Sequence, residues 1–342
     1  RNMGNTLLQK ALKEITEKIN VRSGSFVLYN DLTWTRNQYV KCAVSKENVV
    51  VKDDQGNVVP SQISRDNSQK YVTFISKDVP SMGFRTFEIS EGKYIKPQNG
   101  DFTASDNSVE NSYYKAVLGN GGIVSLYDKE LKKELVHTSK FACGDISEFG
   151  YLGNGAGEFT EIKELTPGDI TTLSSFDARW RKTESGPLYT RFENVQPTKH
   201  ATIVQVITFY HQKKQIDFDV TLREFDGTHN RQYRIVFPIN MMNGHTINYE
   251  VPMGVAQVGR DELNKIPGGW AAAGAYVHHP ADSHPREIQN FISANGSGFG
   301  VTMSSCVAVA DWIDPSRELT SYPVLQGILL SSHKSCHGEG NW

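Results

Sequence analysis

The stretch YYKAVLGNGGIVSLY, residues 113–127, decides the fold class. Two apolar runs, 113–118 and 123–127, flank Gly119-Asn120-Gly121-Gly122. Consecutive Asn and Gly supply left-handed φ without steric cost, so the segment reads as a tight β-hairpin. Working outward, further strands are expected at 202–210, 216–222, 233–237, 247–251, 291–293 and 300–303. In the first of these, Val206, Thr208 and Tyr210 alternate with Ile207 and Phe209, which makes both faces partly apolar. A strand of that kind suits a sheet packed on another sheet.

Upstream of the hairpin the same grammar repeats on a smaller scale. Strands are expected at 25–29, 49–51, 58–59, 71–75 and 84–89, with turns at Asn30-Asp31 and at Asp53-Asp54-Gln55-Gly56-Asn57. Trp34 and Arg36, at a strand end, read as packing and a surface pair. Only the first segment has helical periodicity: Leu8, Leu12, Ile15 and Ile19 recur at spacings that stack them on one helix face. No helical partner for that stripe follows, so the expected partner lies upstream of Arg1. The expected organisation is a helix over 1–22 left from a helical domain, a small antiparallel β-sandwich over 23–95, a polar linker over 96–107 containing Pro97 and Gly100, and a large β unit over 108–342, with a further C-terminal stretch expected beyond it.

The 342 residues carry a net charge of -2, which argues against nucleic acid or an anionic membrane surface as partner. No apolar run approaches the roughly 20 residues of a membrane-spanning helix. Cys42, Cys143, Cys306 and Cys336 are far apart, without paired metal-ligand spacing, and read as free thiols.

Several segments taken in order resemble the class II α-mannosidases, glycoside hydrolase family 38, downstream of their catalytic domain. Val27-Leu28-Tyr29-Asn30-Asp31-Leu32-Thr33-Trp34-Thr35-Arg36 is similar to the family's helix-to-strand junction, with Asp31 where Pro is common. Glu110-Asn111-Ser112-Tyr113-Tyr114 and Gly121-Gly122-Ile123-Val124-Ser125-Leu126-Tyr127-Asp128-Lys129-Glu130 are similar to its most specific hairpin. Glu184-Ser185-Gly186-Pro187, Gln205, Asp217-Phe218, Phe237-Pro238, Tyr249-Glu250-Val251-Pro252-Met253-Gly254 and Gly298-Phe299-Gly300-Val301-Thr302 continue the pattern in order.

The resemblance implies a β-sandwich followed by a galactose-mutarotase-like β-supersandwich. It implies a retaining α-mannosidase as parent enzyme, with an Asp nucleophile and a zinc ion in an N-terminal α/β domain preceding Arg1. It assigns no catalytic residue and no metal ligand to this chain, which is expected to be inactive alone. The implied partners are the upstream α/β and helical domains and a mannose-containing oligosaccharide.

Three residues are candidates for sugar contact. Tyr151 sits in a Gly-rich run, 149–158, that reads as a loop able to present a stacking face; Arg179 and Trp180 offer a guanidinium and an indole on a strand edge. A carbohydrate-binding sandwich that uses Tyr151 or Trp180, without catalysis, is one alternative. Another is a mutarotase-like epimerase using His284 or Glu287 for proton transfer at the anomeric centre. His278, His279, His333 and His337 read as polar loop residues.

Overall fold

The computed structural model describes residues 2–21, 24–66, 68–92, 102–151, 165–242, 244–262, 285–296, 298–316 and 320–332. Among the described residues one α-helix, Asn2–Thr16, precedes strands interrupted by a short 3-10 helix at Leu173–Ser175. Leu8 and Ile15 are exposed and Leu12 is half-buried, so the stripe read from the sequence is only partly covered. Thr16 Oγ1 and the Tyr29 hydroxyl meet at 2.8 Å where the helix ends.

Two compact units divide the chain. The first holds Arg1–Phe102 together with Glu184–Thr190 and Tyr210–Lys214; the second holds Thr103–Thr183, Arg191–Phe209 and Gln215–Trp342. In the first unit a sheet of Ser25–Asn30, Gly83–Glu91, Val49–Asp53 and Val58–Val59 faces a sheet of Arg36–Val44, Gln69–Val79 and Ser61–Asp66. Val49, Val51 and Phe87 from one meet Val72 and Phe74 from the other, an alternating apolar face from each. The two short insertions belong here because Leu188 and Tyr189 pack with Ile75. Their backbone N–H groups both donate to Gln62 Oε1, at 3.3 Å each.

The second unit contains four sheets. The five-stranded sheet includes the hairpin Tyr114–Gly119 and Gly122–Asp128; the six-stranded one runs Leu165–Thr172, Asp145–Tyr151, Arg231–Pro238, Val324–Ser332, Val309–Asp311 and Arg286–Glu287. A four-stranded sheet of Arg181–Ser185, Tyr189–Pro197, Thr202–Tyr210 and Ile216–Arg223 supplies apolar residues to both. Phe192, Ile207 and Phe209 pack with Ala116, Leu118 and Ile123 of the hairpin sheet. Ile203 packs with Ile146, Tyr233 and Ile235 of the six-stranded sheet. Ile203, Ile207 and Phe209 share one face of this strand and meet the two cores at different points along it, while Val204 and Thr208 on the other face are buried as well. The last sheet, Gly254–Gln257, Thr246–Val251, Phe291–Asn295 and Gly300–Ser304, packs Ile247, Tyr249 and Ile292 with Ala310 and Leu325.

The hairpin turn is tighter than its sequence suggested. Gly119 pairs with Gly122, and the left-handed φ values fall on Gly121 (81°) and Gly122 (157°), not on Asn120. A Cβ on Gly122 would lie 2.4 Å from the Cys143 carbonyl oxygen, which fixes the residue as glycine. Ile123 and Cys143 exchange two backbone hydrogen bonds of 2.9 Å. Cys143 is a buried free thiol whose pKa burial pushes up to about 12. Cys42 and Cys306 are also free.

Candidate functional site

Arg179 and Trp180 are brought to the hairpin turn. Trp180 Nε1 donates to the Gly119 carbonyl at 2.8 Å, and Ala178 N donates to Asn120 Oδ1 at 3.0 Å. The indole is half-buried against the Phe192–Phe209 core, so its first role is packing. Arg179 is anchored through its backbone, N to Asn194 Oδ1 at 3.1 Å, while its side chain is exposed.

Buried amides brace the turn from behind. Gln205 Nε2 donates to the carbonyls of Gly121 and Gly144 at 3.0 and 2.9 Å, and Gln205 Oε1 accepts from Asn194 Nδ2 at 3.4 Å. Asp145 Oδ1 accepts from Ser174 N at 3.2 Å. Burial pushes the Asp145 carboxyl up to about 6, against the pull of the Ser174 hydrogen bonds.

Tyr151 stands elsewhere, and not as a loop residue. It closes the strand Asp145–Tyr151, is 2% exposed, and donates its hydroxyl to the Ser332 carbonyl at 2.8 Å. The strand continues into the Gly-rich run because it pairs on both sides, Phe149 with Ile170 and with Gln232. A ring placed this way packs the six-stranded sheet instead of presenting a stacking face. Residues 152–158 of the expected loop lie outside the described residues, as do His278, His279, His284, His333, His337 and Cys336. Glu287 is described, exposed on a short edge strand.

The densest ionisable group was not legible as a motif. His200 Nδ1 lies 2.8 Å from Asp226 Oδ2, and its Nε2 lies 3.9 Å from Glu148 Oε1. Hydrogen bonds from Thr228 and then from His200 hold the Asp226 carboxyl well below the ordinary range. Arg231 Nη1 donates to Asp169 Oδ1 at 2.7 Å and lies 4.0 Å from Glu148 Oε1. Burial raises the neighbouring Tyr233 hydroxyl, with the Glu148 charge adding to it. His200 and Glu148 are buried while Asp226 and Asp169 are partly exposed, and the group ties the turns 198–201 and 226–228 to the sheet.

On the other face of the same sheet Arg234 Nη1 donates to Asp311 Oδ2 at 2.8 Å and Nε donates to Gln232 Oε1 at 2.6 Å. Its guanidinium sits 5.1 Å from the Phe149 ring centre, and burial lowers its pKa. Among the described residues, no three His, Cys, Asp or Glu side chains converge to hold a metal. What the arrangement offers is a rigid frame that projects Arg179 beside a braced turn.

Comparisons with known proteins agree with this frame. Residues 109–266 match the model of the glycosyl hydrolases family 38 C-terminal domain. An alpha-mannosidase of Arabidopsis thaliana is 24% identical over 224 residues, 57% of this chain and 21% of that protein. An alpha-mannosidase from Enterococcus faecalis V583 has the same fold, with a TM-score of 0.71 at 16% identity over 96% of this chain. A second Enterococcus faecalis structure, a protein in the glycosyl hydrolase family 38, gives 0.69 at 16% identity, also over 96% of this chain. The chain spans 42% and 44% of those two solved chains. Ordered motifs, matched domain and shared fold converge, and over residues 109–266 the chain is similar to the glycosyl hydrolases family 38 C-terminal domain.

Proposed function

We propose that this chain is the β-rich C-terminal portion of a retaining α-mannosidase, that it supports an active site formed by residues outside it, and that it cleaves no glycoside alone. The observation that carries this reading is the family 38 C-terminal domain match at 109–266 within a fold that covers less than half of the solved relatives. The chemistry of the described residues supports it. Retaining cleavage needs a nucleophilic carboxylate and an acid/base carboxyl about 5 Å apart, both open to the sugar. Here the buried acids of the described residues, Asp128, Asp145, Glu148, Asp311 and Asp314, accept from Leu131 N, Ser174 N, Thr198, Arg234 and Lys140.

The nucleophile and the zinc ion of the parent enzyme belong, on this reading, to an upstream α/β domain. The described residues offer no ligand set for that metal. On this reading Arg179, anchored through its backbone to Asn194, donates to sugar hydroxyls, Trp180 packs beneath the hairpin turn, and Tyr151 stabilises the sheet. The test is hydrolysis of 4-nitrophenyl α-mannoside by the purified chain alone and by the chain assembled with an upstream family 38 α/β domain. Activity is expected only in the assembly, where Arg179→Ala raises KM. Turnover by the isolated chain, free of host enzyme, sinks the reading.

A further inference from the structure

Trp34 does not pack as its position at a strand end suggested. It is 58% exposed, on the turn between Ser25–Asn30 and Arg36–Val44. Two more large apolar residues surround the same end of the first unit: Met82, 70% exposed, and Phe84, 41% exposed. Met82 N donates to the Leu32 carbonyl at 2.9 Å, and the Phe84 ring lies 6.1 Å from that of Tyr29.

One buried side chain fastens the two turns together. Asn30 Nδ2 donates to the carbonyls of Trp34 at 2.7 Å, Pro80 at 2.9 Å and Val79 at 3.2 Å, and Asn30 Oδ1 accepts from Leu32 N at 3.1 Å. The second turn also contains two left-handed residues that are not glycine, Asp78 (φ 53°) and Met82 (φ 45°). Asn37 Oδ1 accepts from Asp78 N at 2.7 Å and holds the first of them. Strain of this kind persists only where surrounding contacts enforce it, and it gathers at binding surfaces.

The chemistry around the indole selects the occupant. Asp31 and Arg36 flank it in the chain, their side chains 3.9 Å apart, with exposed Thr33 and Thr35 between them in sequence. A protein interface keeps its core apolar and sends charge to the rim. Here a carboxylate, a guanidinium and two hydroxyls share the turn with the indole. A pyranose matches both parts: its CH face is apolar, and its hydroxyls donate to a carboxylate and accept from a guanidinium.

We infer that the turns 31–35 and 78–82 form a carbohydrate-binding surface, separate from the Arg179 region, in which Trp34 stacks on a hexose unit of a glycan and Asp31 and Arg36 hold its hydroxyls. Because Asn30 presets both turns, binding costs little ordering. The choice of a mannoside as first probe rests on the mannosidase reading; the site itself does not.

The experiment is a calorimetric titration of the whole chain with α-mannobiose, cellobiose and lactose in turn. A dissociation constant of order millimolar is expected for α-mannobiose, weakened about tenfold or more in Trp34→Ala and partly restored in Trp34→Phe. Asp31→Ala, a second exposed change, is expected to weaken binding with unchanged circular dichroism. Binding of cellobiose or lactose alone, lost in Trp34→Ala, supports the surface and removes its link to mannosides. Flat titrations with all three sugars, or binding unaltered by Trp34→Ala, overturn it. So does a dimer in sedimentation that Trp34→Ala converts to monomer. Hydrolysis by the isolated chain, which would remove the mannosidase reading, leaves these titrations intact.

Discussion

Asp145 contributes through a carboxyl that has no contact with water and accepts one backbone N–H from Ser174. Its folded pKa lies near 6, above the ordinary value of about 3.9 in an unfolded chain. Between those limits the folded state binds more protons than the unfolded one, so stability falls as pH rises from about 4 to about 6. The fall is bounded at about 3 kcal/mol. Asp145→Asn keeps the acceptor for Ser174 and removes the charge. Urea midpoints at pH 4.5 and 7 are expected to converge in the variant, and an unchanged difference between them counts against this assignment. Residues of this kind were not legible in the sequence. Asp145, Glu148 and His200 lie in no spaced motif, and only the folding of distant strands buries Asp145 against Ser174 and Glu148 near His200. Tyr151 was misplaced for the opposite reason: a local glycine signal outweighed strand pairing that is long-range.

Among elements, the hairpin was the most legible because its signal is local. Its glycines are also the most exacting. Gly122→Ala combines a left-handed φ with a clash against the Cys143 carbonyl, and is expected to cost about 2–4 kcal/mol. Gly254→Ala, where a Cβ meets nothing within 4 Å, is expected to stay within about 0.5 kcal/mol. Chemical denaturation of both variants measures the contrast; equal losses would show that the turn is not the constraint described. Trp180→Phe leaves the Gly119 carbonyl without its indole donor and is expected to cost about 1 kcal/mol beyond any packing loss. The helix was legible from its stripe, whereas its exposure was not, since periodicity reports a face and not what covers it.

At the scale of the molecule, each unit has a core of its own. Phe74→Ala and Phe192→Ala each empty a fully buried ring site, at about 3–5 kcal/mol. Hydrogen exchange is expected to lose protection in 36–44 and 69–91 for the first variant, and in 114–128 and 202–209 for the second. Uniform loss across the chain in either variant would deny that the units are separately cooperative. Sequence reading expected a polar linker over 96–107, and the first compact unit holds Arg1–Phe102 together with two later segments. It missed 184–190 and 210–214, whose membership depends on contacts such as Gln62 with Leu188, 126 positions apart. No local pattern encodes a pairing over that distance.

The Cys143 thiol, neutral and walled in at physiological pH, gives the protein an internal clock. An alkylating reagent meets Cys306 at the surface at once, but reaches Cys143 only when the backbone pairing with Ile123 parts. The rate of that second modification times the unzipping of the hairpin from its neighbour. It is expected to accelerate in Gly122→Ala and to track global unfolding in the native sequence.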